Sequence, residues 1–350
     1  QDLPDKESAT MFFQDCKLSH QAQITGISHS VKEIFPPDLL DLTQLQKEAN
    51  IRYGYTASEV YDIAQSLYEK KLISYPRTSS RYLTEDVFDS LSPIMARLLS
   101  WELFPAAKGT GGIDISSLSR HVISAEKANV HHAIIITGIR PGNLSEKEMQ
   151  VYRLVAGRML ETFMAPCRIE TTNVEAVCGA QHFKAEQTRI IEAGWHDVFM
   201  RSDMIPTSGY SVKELPEVEK GDTLNVCGCN MVHKKQLPVN PFTDAELVEY
   251  MEQKGLGTVS SRTNIIRTLV NRKYIRYSGR YIIPTPKGMF TYETIRGKKI
   301  ADTLLTADWE KQLAGLESGM ITGQDFLNRI RTLAKEMTDD IFNTYSTKEE

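Results

Sequence analysis

The chain has 350 residues, of which 41% are hydrophobic and 25% are charged. This composition is ordinary for a soluble globular protein and excludes a disordered or fibrous chain. At roughly 150 residues per domain, we expect two or three domains. No apolar run approaches the roughly 20 residues of a membrane span. Five cysteines without a CxxC pair argue against a zinc ribbon and a disulfide framework, which favours reduced thiols in the cytoplasm.

The net charge of −4 hides an uneven distribution. Between Lys254 and Lys299 there are eleven Lys or Arg residues and one acid, Glu293, so this segment has a local charge of +10. Such segregation is typical of a surface that binds a polyanion. The alternative is a solvated helix face whose counter-charges come from elsewhere in the fold.

The N-terminal segment, 1–34, shows little helical periodicity, so we expect short strands and turns there. The chain opens with Gln1 and has no basic start of the signal-peptide kind, which favours a processed chain or an excised fragment. Thr43 is a suitable N-cap for a helix that runs to about Arg52, with a turn at Gly54.

A second helix is predicted to begin after Thr56, because Thr56 and Glu59 form a capping box. Apolar residues at helical spacing define its buried face: Val60, Ile63, Ala64, Leu67 and Tyr68. A short strand is then predicted over Leu72–Tyr75, broken at Pro76.

Two different regions follow. Residues 84–165 are predicted to be mostly helical, with one helix capped by Ser145 and Glu148. The Gly-rich run Lys108–Gly112 lacks the phosphate-loop motif and follows no clear strand, so we interpret it as a mobile connection. Residues 168–232 alternate with period two, which is typical of half-exposed antiparallel strands, and they are expected to form one domain with segment 1–34.

A layout similar to that around Thr56 recurs in the last third of the chain. Thr243 and Glu246 form another capping box, and Gly255–Gly257 provides the turn after that helix. A further helix is predicted from about Ser260. The residues expected to face inward on these two helices are Leu247, Val248, Met251, Ile265, Ile266, Leu269 and Val270.

The two copies also end alike. Lys273–Tyr277 matches Lys71–Tyr75 position for position, and Tyr277–Arg280 can turn a hairpin in the second copy. Two helices followed by a strand hairpin are the skeleton of a winged helix, so we interpret the pattern as an internal repeat. Because helical hairpins followed by strands are common, a chance likeness remains an alternative.

The segment Tyr75–Ser79 contains the first pair of residues suited to chemistry. Tyr75 and Arg77 are two residues apart in an extended chain, so they point to the same side. A phenol with a pKa of about 10 is a poor nucleophile at neutral pH, but a neighbouring guanidinium can bind a phosphodiester and favour the phenolate. The pair fits a tyrosine that attacks phosphorus. The alternative is a packed strand-end tyrosine with Arg77 in solvent.

Two adjacent histidines, His131 and His132, precede the apolar segment Ala133–Ile136. Neighbouring side chains on a strand diverge, so the two rarely ligate one metal. One of them can instead hold a phosphate oxygen or move a proton. A purely structural histidine is the alternative.

The segment Gly255–Arg262 is the third candidate. Small hydroxyl residues at the start of a helix expose N–H groups to an anion, and the helix dipole assists. Arg262, Arg267 and Arg272 extend the positive surface. The alternative is a capped helix that binds no ligand.

Together these segments resemble the type IA DNA topoisomerases, and within them the branch of topoisomerase III and reverse gyrase. The resemblance covers nearly the whole chain. It rests on four motifs in the right order: Phe35–Asn50, Leu72–Ser79, the strand of His131–Ile135, and Gly255–Thr258 with the arginine-bearing helix after it.

The resemblance implies that Tyr75 is the nucleophile, forming a 5′-phosphotyrosine link to a cut single strand. It implies that Arg77 positions the phosphate and stabilises its charge, and that His131 supports the same site. The expected DNA contacts are Thr258, Ser260, Ser261, Arg262 and Arg272. Ser261 and Arg272 match positions that contact the DNA backbone, whereas Thr258 stands where some members carry an arginine.

The chain departs from the family pattern in three ways. Ser79 replaces the usual aspartate and Ile136 the usual proline. The family's first domain carries an acidic cluster that binds Mg²⁺, and none precedes residue 35, since Asp5, Glu7 and Asp15 do not lie in a βαβ setting. We therefore expect the chain to begin inside the second domain, with Mg²⁺ bound by a separate Toprim domain in cis and not by this fragment.

The expected fold class is multidomain α/β, of the α+β kind. A β-rich arch domain is predicted to comprise residues 1–34 and 166–240. A helical domain that carries Tyr75 is inserted at 35–165, and a winged-helix-like domain covers 241–350.

The expected function is ATP-independent cleavage, strand passage and religation of single-stranded DNA by a cytoplasmic, nucleoid-associated enzyme. RNA is a second candidate substrate, and the fragment without the Toprim domain is expected to be inactive. The alternative is a non-catalytic winged-helix protein that binds single-stranded nucleic acid. A tyrosine recombinase or relaxase fits less well, because recombinases surround their tyrosine with several Arg and His residues and relaxases need three histidines.

Overall fold

A computed structural model describes residues 5–101, 103–105, 113, 118–128, 131–199, 212, 214–231 and 240–346. The predicted mobile run at 108–112 lies outside these residues. The chain forms two compact units. The first comprises Gln1–Pro37, Met95–Ser119 and Gly157–Pro238, and the second comprises Asp38–Ile94, Arg120–Ala156 and Val239–Glu350. In this division the Tyr75 segment and the C-terminal segment belong to one unit, and the boundaries of the three domains stay a prediction.

The described α-helices are α1 Lys6–Ser19, α2 Leu42–Tyr53, α3 Ala57–Glu69, α4 Glu85–Asp89, α5 Leu91–Ser100, α6 Ala125–Ala128, α7 Glu146–Phe163, α8 Asp244–Gln253, α9 Val259–Asn271, α10 Pro286–Ile295, α11 Thr303–Glu317 and α12 Gly323–Ser346. The described strands are β1 Gln21–Ile34, β2 Cys167–Cys178, β3 Gln181–Glu192, β4 Thr223–Asn225, β5 Ile275–Ser278 and β6 Tyr281–Pro284. No helix in the described part of the chain has the length and apolarity needed to cross a membrane.

The N-terminal residues differ from the sequence prediction of short strands and turns. Residues 6–19 form the helix α1, whose N-cap Asp5 accepts a hydrogen bond from the Ser8 N–H at 2.8 Å. The prediction was wrong because α1 has a weak apolar stripe: Cys16 is buried, whereas Met11 and Leu18 are exposed. A single long strand, β1, follows.

The first unit contains a four-stranded antiparallel sheet in the order β3-β2-β1-β4. β1 pairs with β2 from Gln23 opposite Val177 to Ile34 opposite Cys167. The predicted sheet that joins the N-terminal segment to the residues after 168 is therefore confirmed. The period-two alternation of residue types predicted the strand β2 correctly, because successive side chains of a strand point to opposite faces of the sheet.

The second unit contains the internal repeat. Lys273 holds the position in the second copy that Lys71 holds in the first, and both have φ of 61°, which is rare for a residue with a side chain. The Lys71 N–H donates to Tyr68 O at 2.8 Å, and the Lys273 N–H donates to Val270 O at 2.9 Å. The helices α3 and α9 therefore end in the same backbone turn, and the predicted repeat is confirmed at this point.

The first helix of each copy begins at the same position relative to the turn. Asp41, the N-cap of α2, precedes Lys71 by as many residues as Thr243, the N-cap of α8, precedes Lys273. Asp41 accepts from the Gln44 N–H at 2.7 Å, so the predicted N-cap, Thr43, was two residues late. Thr43 is buried, and its hydroxyl donates to Glu252 at 3.3 Å.

The two copies of the repeat differ in the hairpin that follows the second helix. In the second copy, β5 and β6 form the predicted hairpin, with Gly279 at φ 60° in its two-residue loop. In the first copy, Ile73 forms an isolated antiparallel bridge to Ile136, so the predicted strand at 72–75 is reduced to one bridging residue. Residues 76–131 are thus inserted at the position of the hairpin loop.

Candidate functional site

Tyr75 lies where the chain leaves the shortened hairpin of the first copy. Its ring is half-buried and meets the ring of Tyr68 on α3 edge to face, at a centroid distance of 5.4 Å. The ring of His131, at the other end of the insertion, lies 4.5 Å from the ring of Tyr75. His131 is exposed, and Tyr68 is also exposed, at 39%, so the prediction that Tyr68 belongs to the buried face of α3 was wrong. The phenol therefore lies between two rings at the solvent boundary.

Hydroxyl side chains on both sides of Tyr75 fix this arrangement. The Ser74 hydroxyl donates to Ala133 O at 3.1 Å and accepts from the Ile135 N–H at 3.0 Å. The Thr78 hydroxyl, which is buried, donates to His131 O at 2.9 Å. These bonds hold together two segments that are distant in sequence, and they align Tyr75 with His131.

Arg77 reaches the same helix as Tyr75. Its guanidinium Cζ lies 5.0 Å from the ring centroid of Tyr61, and its Nη2 donates to Gln65 Oε1 at 3.4 Å. Its Nε is buried without a hydrogen-bond partner among the described residues. Tyr61, Gln65 and Tyr68 lie at positions i, i+4 and i+7 of α3, so one face of this helix contacts both Tyr75 and Arg77.

Tyr61 and Gln65 were missed by the sequence analysis. Both are polar residues on the outer side of an amphipathic helix, where a solvated face is the ordinary expectation. Their helical spacing from Tyr68 was a usable signal, but it has meaning only once the path of the Tyr75 segment over α3 is known.

The two histidines diverge as expected. His131 stacks near Tyr75, whereas the Nδ1 atom of His132 lies 2.7 Å from Ala133 O. The pKa of Asp86 is lowered first by the hydrogen bond from Thr84, and the charge of His132 is the smallest of its causes. Only His131 therefore shares a site with the tyrosine.

A cluster of hydroxyls occupies the start of α9. The Thr258 N–H donates to Ser261 Oγ at 2.8 Å, and the Thr258 and Ser260 hydroxyls lie 3.2 Å apart. Gly257 precedes them with φ of 69°, and a Cβ added there would lie 2.7 Å from Ser261 Oγ. The positive φ favours glycine at this turn.

Arg77 and the start of α9 line one cavity of about 480 Å³. Ser260 and Ser261 contribute to its wall together with Arg77. Ile265 also lines it and is 39% exposed, so the prediction that Ile265 faces inward was wrong. Ile266, its neighbour, is buried as predicted.

The arginines of α9 differ in their surroundings. Arg262 is buried and its Nη1 lies 3.0 Å from Glu252, so its placement is that of a packing residue and not of the expected surface contact. Arg267 pairs with Asp62 at 2.8 Å. Arg272 is exposed, with no side-chain partner among the described residues.

The basic segment keeps an exposed positive surface despite these pairs. Its exposed members on and around the β5–β6 hairpin are Arg272, Lys273, Arg276, Arg280 and Lys287. The alternative, in which counter-charges neutralise the basic segment, therefore describes only part of it. The residues with an acidic partner include Arg262, Arg267, Arg296 and Lys299, and none of these four lies on the hairpin.

Two of the three departures from the family pattern, Ser79 and Ile136, lie in different settings. Ser79 is exposed beside the Tyr75 segment, whereas Ile136 is fully buried in its bridge to Ile73. Among the residues that the structure describes, no three His, Cys, Asp or Glu side chains lie together as a metal site. The described residues therefore do not fit a Mg²⁺ site of their own.

Comparisons with known proteins show the family of the chain. A family model described as DNA topoisomerase matches residues 1–328. DNA topoisomerase 3 of Bacillus licheniformis is 32% identical over 344 residues, covering 91% of this chain and 47% of the relative. That of Bacillus subtilis is 30% identical over 352 residues, covering 93% and 48%. The chain thus spans about half the length of the curated relatives it matches.

A solved structure has the same fold. Full-length topoisomerase I from Thermotoga maritima superposes with a TM-score of 0.73 at 23% identity, covering 96% of this chain and 56% of that one. The likeness supports a mixed α/β fold with antiparallel sheets. The chain belongs to the DNA topoisomerase family, and its similarity to the type IA, topoisomerase III-like enzymes is confirmed.

Proposed function

We propose that this chain carries the nucleophile of a type IA topoisomerase and that Tyr75 cleaves one strand of DNA. The observation that carries the proposal is the position of Tyr75 between His131 at 4.5 Å and the helix face that also holds Arg77. The phenol and the imidazole thus lie together where the two ends of the inserted segment approach each other, and the guanidinium lies along the same helix, α3.

The proposed reaction exchanges one phosphodiester for another. The Tyr75 oxygen forms a bond to phosphorus while the bond from phosphorus to the 3′ oxygen of the neighbouring nucleotide breaks. The phenol loses a proton and the leaving 3′ oxygen gains one. Because the 5′-phosphotyrosine is itself a phosphodiester, the reverse reaction reseals the strand without ATP.

Arg77 and His131 have separate roles in this proposal. Arg77 places a permanent positive charge beside the reacting phosphate, where charge accumulates in the transition state. Among the described residues the terminal nitrogens of Arg77 make one long hydrogen bond, to Gln65 at 3.4 Å, which leaves N–H groups of these nitrogens for phosphate oxygens. His131 is placed to donate a hydrogen bond to the phosphate or to pass a proton to the leaving oxygen.

We propose that the strand is bound at the start of α9 and along the basic hairpin. The hydroxyls of Thr258, Ser260 and Ser261 and the helix dipole suit a phosphate, and Arg272 adds an exposed charge. Arg262 supports this surface from beneath through Glu252. Backbone contacts of this type bind without reading base sequence.

The proposal also assigns roles to the domains, the substrate, the partner domain and the metal ion. The sheet of the first unit would serve as a β-rich arch, and each copy of the repeat as a winged-helix-like module. Single-stranded DNA is the proposed substrate and a Toprim domain in cis the proposed partner. Mg²⁺ would be held by that domain, and the proposed location is the cytoplasm, at the nucleoid.

The test is capture of the covalent intermediate. We would join this chain to the part of the Bacillus licheniformis topoisomerase 3 that it does not span, supply Mg²⁺ and a labelled oligonucleotide, and denature the mixture. Tyr75→Phe should abolish labelled protein while leaving binding of the strand nearly intact. Tyr292→Phe, at an exposed tyrosine on α10, is the matched control. Continued labelling of the Tyr75→Phe variant would remove Tyr75 as nucleophile.

A further inference from the structure

The cavity between Arg77 and α9 has a wall that the cleavage chemistry does not require. Along α9, Ser260, Asn264 and Thr268 recur at every fourth position and form one row of polar side chains. The next row along the same helix face begins with Ser261 and continues with Ile265 and Leu269. A polar row thus runs beside a mostly apolar one, and both line the cavity with Arg77.

The side chains of these rows are available to a ligand. The Asn264 amide is exposed and has no partner among the described residues. The Thr268 hydroxyl donates to Asn264 O at 2.7 Å, which leaves its oxygen able to accept. Ile265 exposes 39% of its surface, although an apolar residue on a packed helix is usually covered.

The dimensions of the cavity suit one nucleotide. From Ser260 to Thr268 the helix rises about 12 Å, at about 1.5 Å per residue. The volume of about 480 Å³ lies within the range of small-molecule sites. A bare phosphate would need donors on several sides and would gain nothing from Ile265 or Leu269. A nucleotide fits both the polar and the apolar part of the cavity. Its phosphate can bind Arg77 and the serines, and its base can pack on the apolar side chains beside the Asn264 amide.

We infer that this cavity holds one nucleotide of the bound strand, with its base against Ile265 and Leu269. Asn264 then hydrogen-bonds the edge of that base, and the Thr268 hydroxyl oxygen accepts a hydrogen bond from the sugar or the base. The inference rests on the proposed binding of a single strand and adds a base contact to it. Asn264 and Ile265 would be the residues that make binding depend on the base.

The experiment compares two labelled strands with the same number of phosphates, one of thymidylate and one of abasic residues, by fluorescence anisotropy with the chain as it stands. The wild type should bind the abasic strand about fivefold more weakly, on the order expected for loss of base packing. Ile265→Ala and Asn264→Ala should each remove most of that difference. Because no phosphate contact is lost, the dependence of affinity on salt should stay unchanged.

Two matched controls separate the cavity from general effects. Ile300→Ala truncates an isoleucine that is 54% exposed and does not line the cavity. A third cavity variant, Thr268→Val, removes the accepting hydroxyl and should also reduce the difference between the two strands. Thr332→Val is its control, since the Thr332 hydroxyl also donates to a carbonyl one turn earlier, Asn328 O at 3.0 Å. Both controls should bind the two strands as the wild type does.

The outcomes distinguish this inference from the proposed function. A wild type that binds neither strand contradicts the proposed function, and the inference with it. A wild type that binds both strands equally overturns the inference and leaves strand binding intact. Cavity variants that weaken both strands alike, together with a lower melting temperature, would show that Asn264 and Ile265 are structural and would also overturn it.

Discussion

The guanidinium of Arg77 lies over the ring of Tyr61, with its Cζ atom 5.0 Å from the ring centroid. A cation over an aromatic face is attracted by the ring quadrupole, at about 0.5–1 kcal/mol for an exposed pair. Since Nη2 is held by Gln65 from the same helix, α3 fixes the direction of Arg77. We therefore expect Tyr61 to be a positioning residue for Arg77.

Removing this support should slow cleavage without abolishing it. Tyr61→Leu in the chimera should lower the single-turnover rate of adduct formation by about fivefold, since the lost attraction is on the order of 1 kcal/mol. Tyr61→Phe keeps the ring and should restore the rate. Equal losses in both variants would show that the hydroxyl, and not the ring, is what matters.

The neighbouring histidines should differ in their effect on cleavage. His131→Ala should reduce the rate by roughly ten- to a thousandfold, the cost of one lost transition-state hydrogen bond. His132→Ala should do less, because His132 contacts Ala133 O and not Tyr75. The measurement is the rate of adduct formation for variants whose melting temperatures are equal. Equal losses of rate in both variants would contradict the conclusion that His131, and not His132, lies against Tyr75.

Arg262 and Arg272 should separate stability from binding. Arg262→Ala removes the buried arginine and its ion pair, which leaves Glu252 with only its hydrogen bond from Thr43, and should lower stability on the order of 2 kcal/mol. Arg272→Ala should leave the melting temperature unchanged and flatten the log–log salt dependence of strand binding by about 0.7. Thermal melts and salt titrations of both variants check this. A flattened salt dependence for Arg262→Ala at wild-type stability would restore Arg262 as a direct contact.

Gly288 should tolerate no side chain. A Cβ added there would lie 2.0 Å from Tyr274 O, so α10 would have to move away from the start of β5. Gly288→Ala should lower stability by about 1–3 kcal/mol, the usual cost of overpacking. Gly323→Ala is the control, because a Cβ there meets nothing within 4 Å. Urea denaturation of the two variants gives the comparison, and equal stabilities would mean that α10 is loosely held.

The carboxylate of Glu148 should make stability depend on pH. Hydrogen bonds from Lys70 first, then from Ser66 and the Ser145 N–H, lower the pKa of Glu148 to about 2 from 4.5. A lowered pKa in the folded state means that this stabilisation is complete above the ordinary pKa of 4.5 and is lost as the pH falls toward 2. The stability gap between wild type and Glu148→Gln should therefore narrow over that window.

Glu146→Gln provides the control for this dependence. Glu146 lies in the same first turn of α7, but its carboxylate accepts from Gln150 and not from Ser66 or Lys70. Urea denaturation of the three proteins at several pH values measures both gaps. If the difference in stability between wild type and Glu148→Gln stays constant from neutral pH down to about pH 2, the hydrogen bonds from Lys70, Ser66 and Ser145 do not stabilise the Glu148 carboxylate.

Local hydrogen-bonding patterns made much of the fold predictable from sequence. The capping boxes at Thr56 and Thr243 and the hairpin turn at Gly279 form as predicted. Each is closed by groups within a few residues, so its energy depends little on the rest of the chain. The helix α1 was missed for the complementary reason, because its stripe of buried residues is weak.

The candidate site could be understood only from the sequence and the tertiary structure together. Residue types and spacing were enough to nominate the groups that bring chemistry: Tyr75, Arg77, His131 and the hydroxyls that open α9. The folded chain alone shows that His131 stacks beside Tyr75, that Tyr61 underlies Arg77, and that Ile265 lines a cavity. It also places Arg262 inside, against Glu252. The helical period says which residues share a face, but whether a face meets solvent, a neighbouring helix or a distant strand depends on the path of the whole chain.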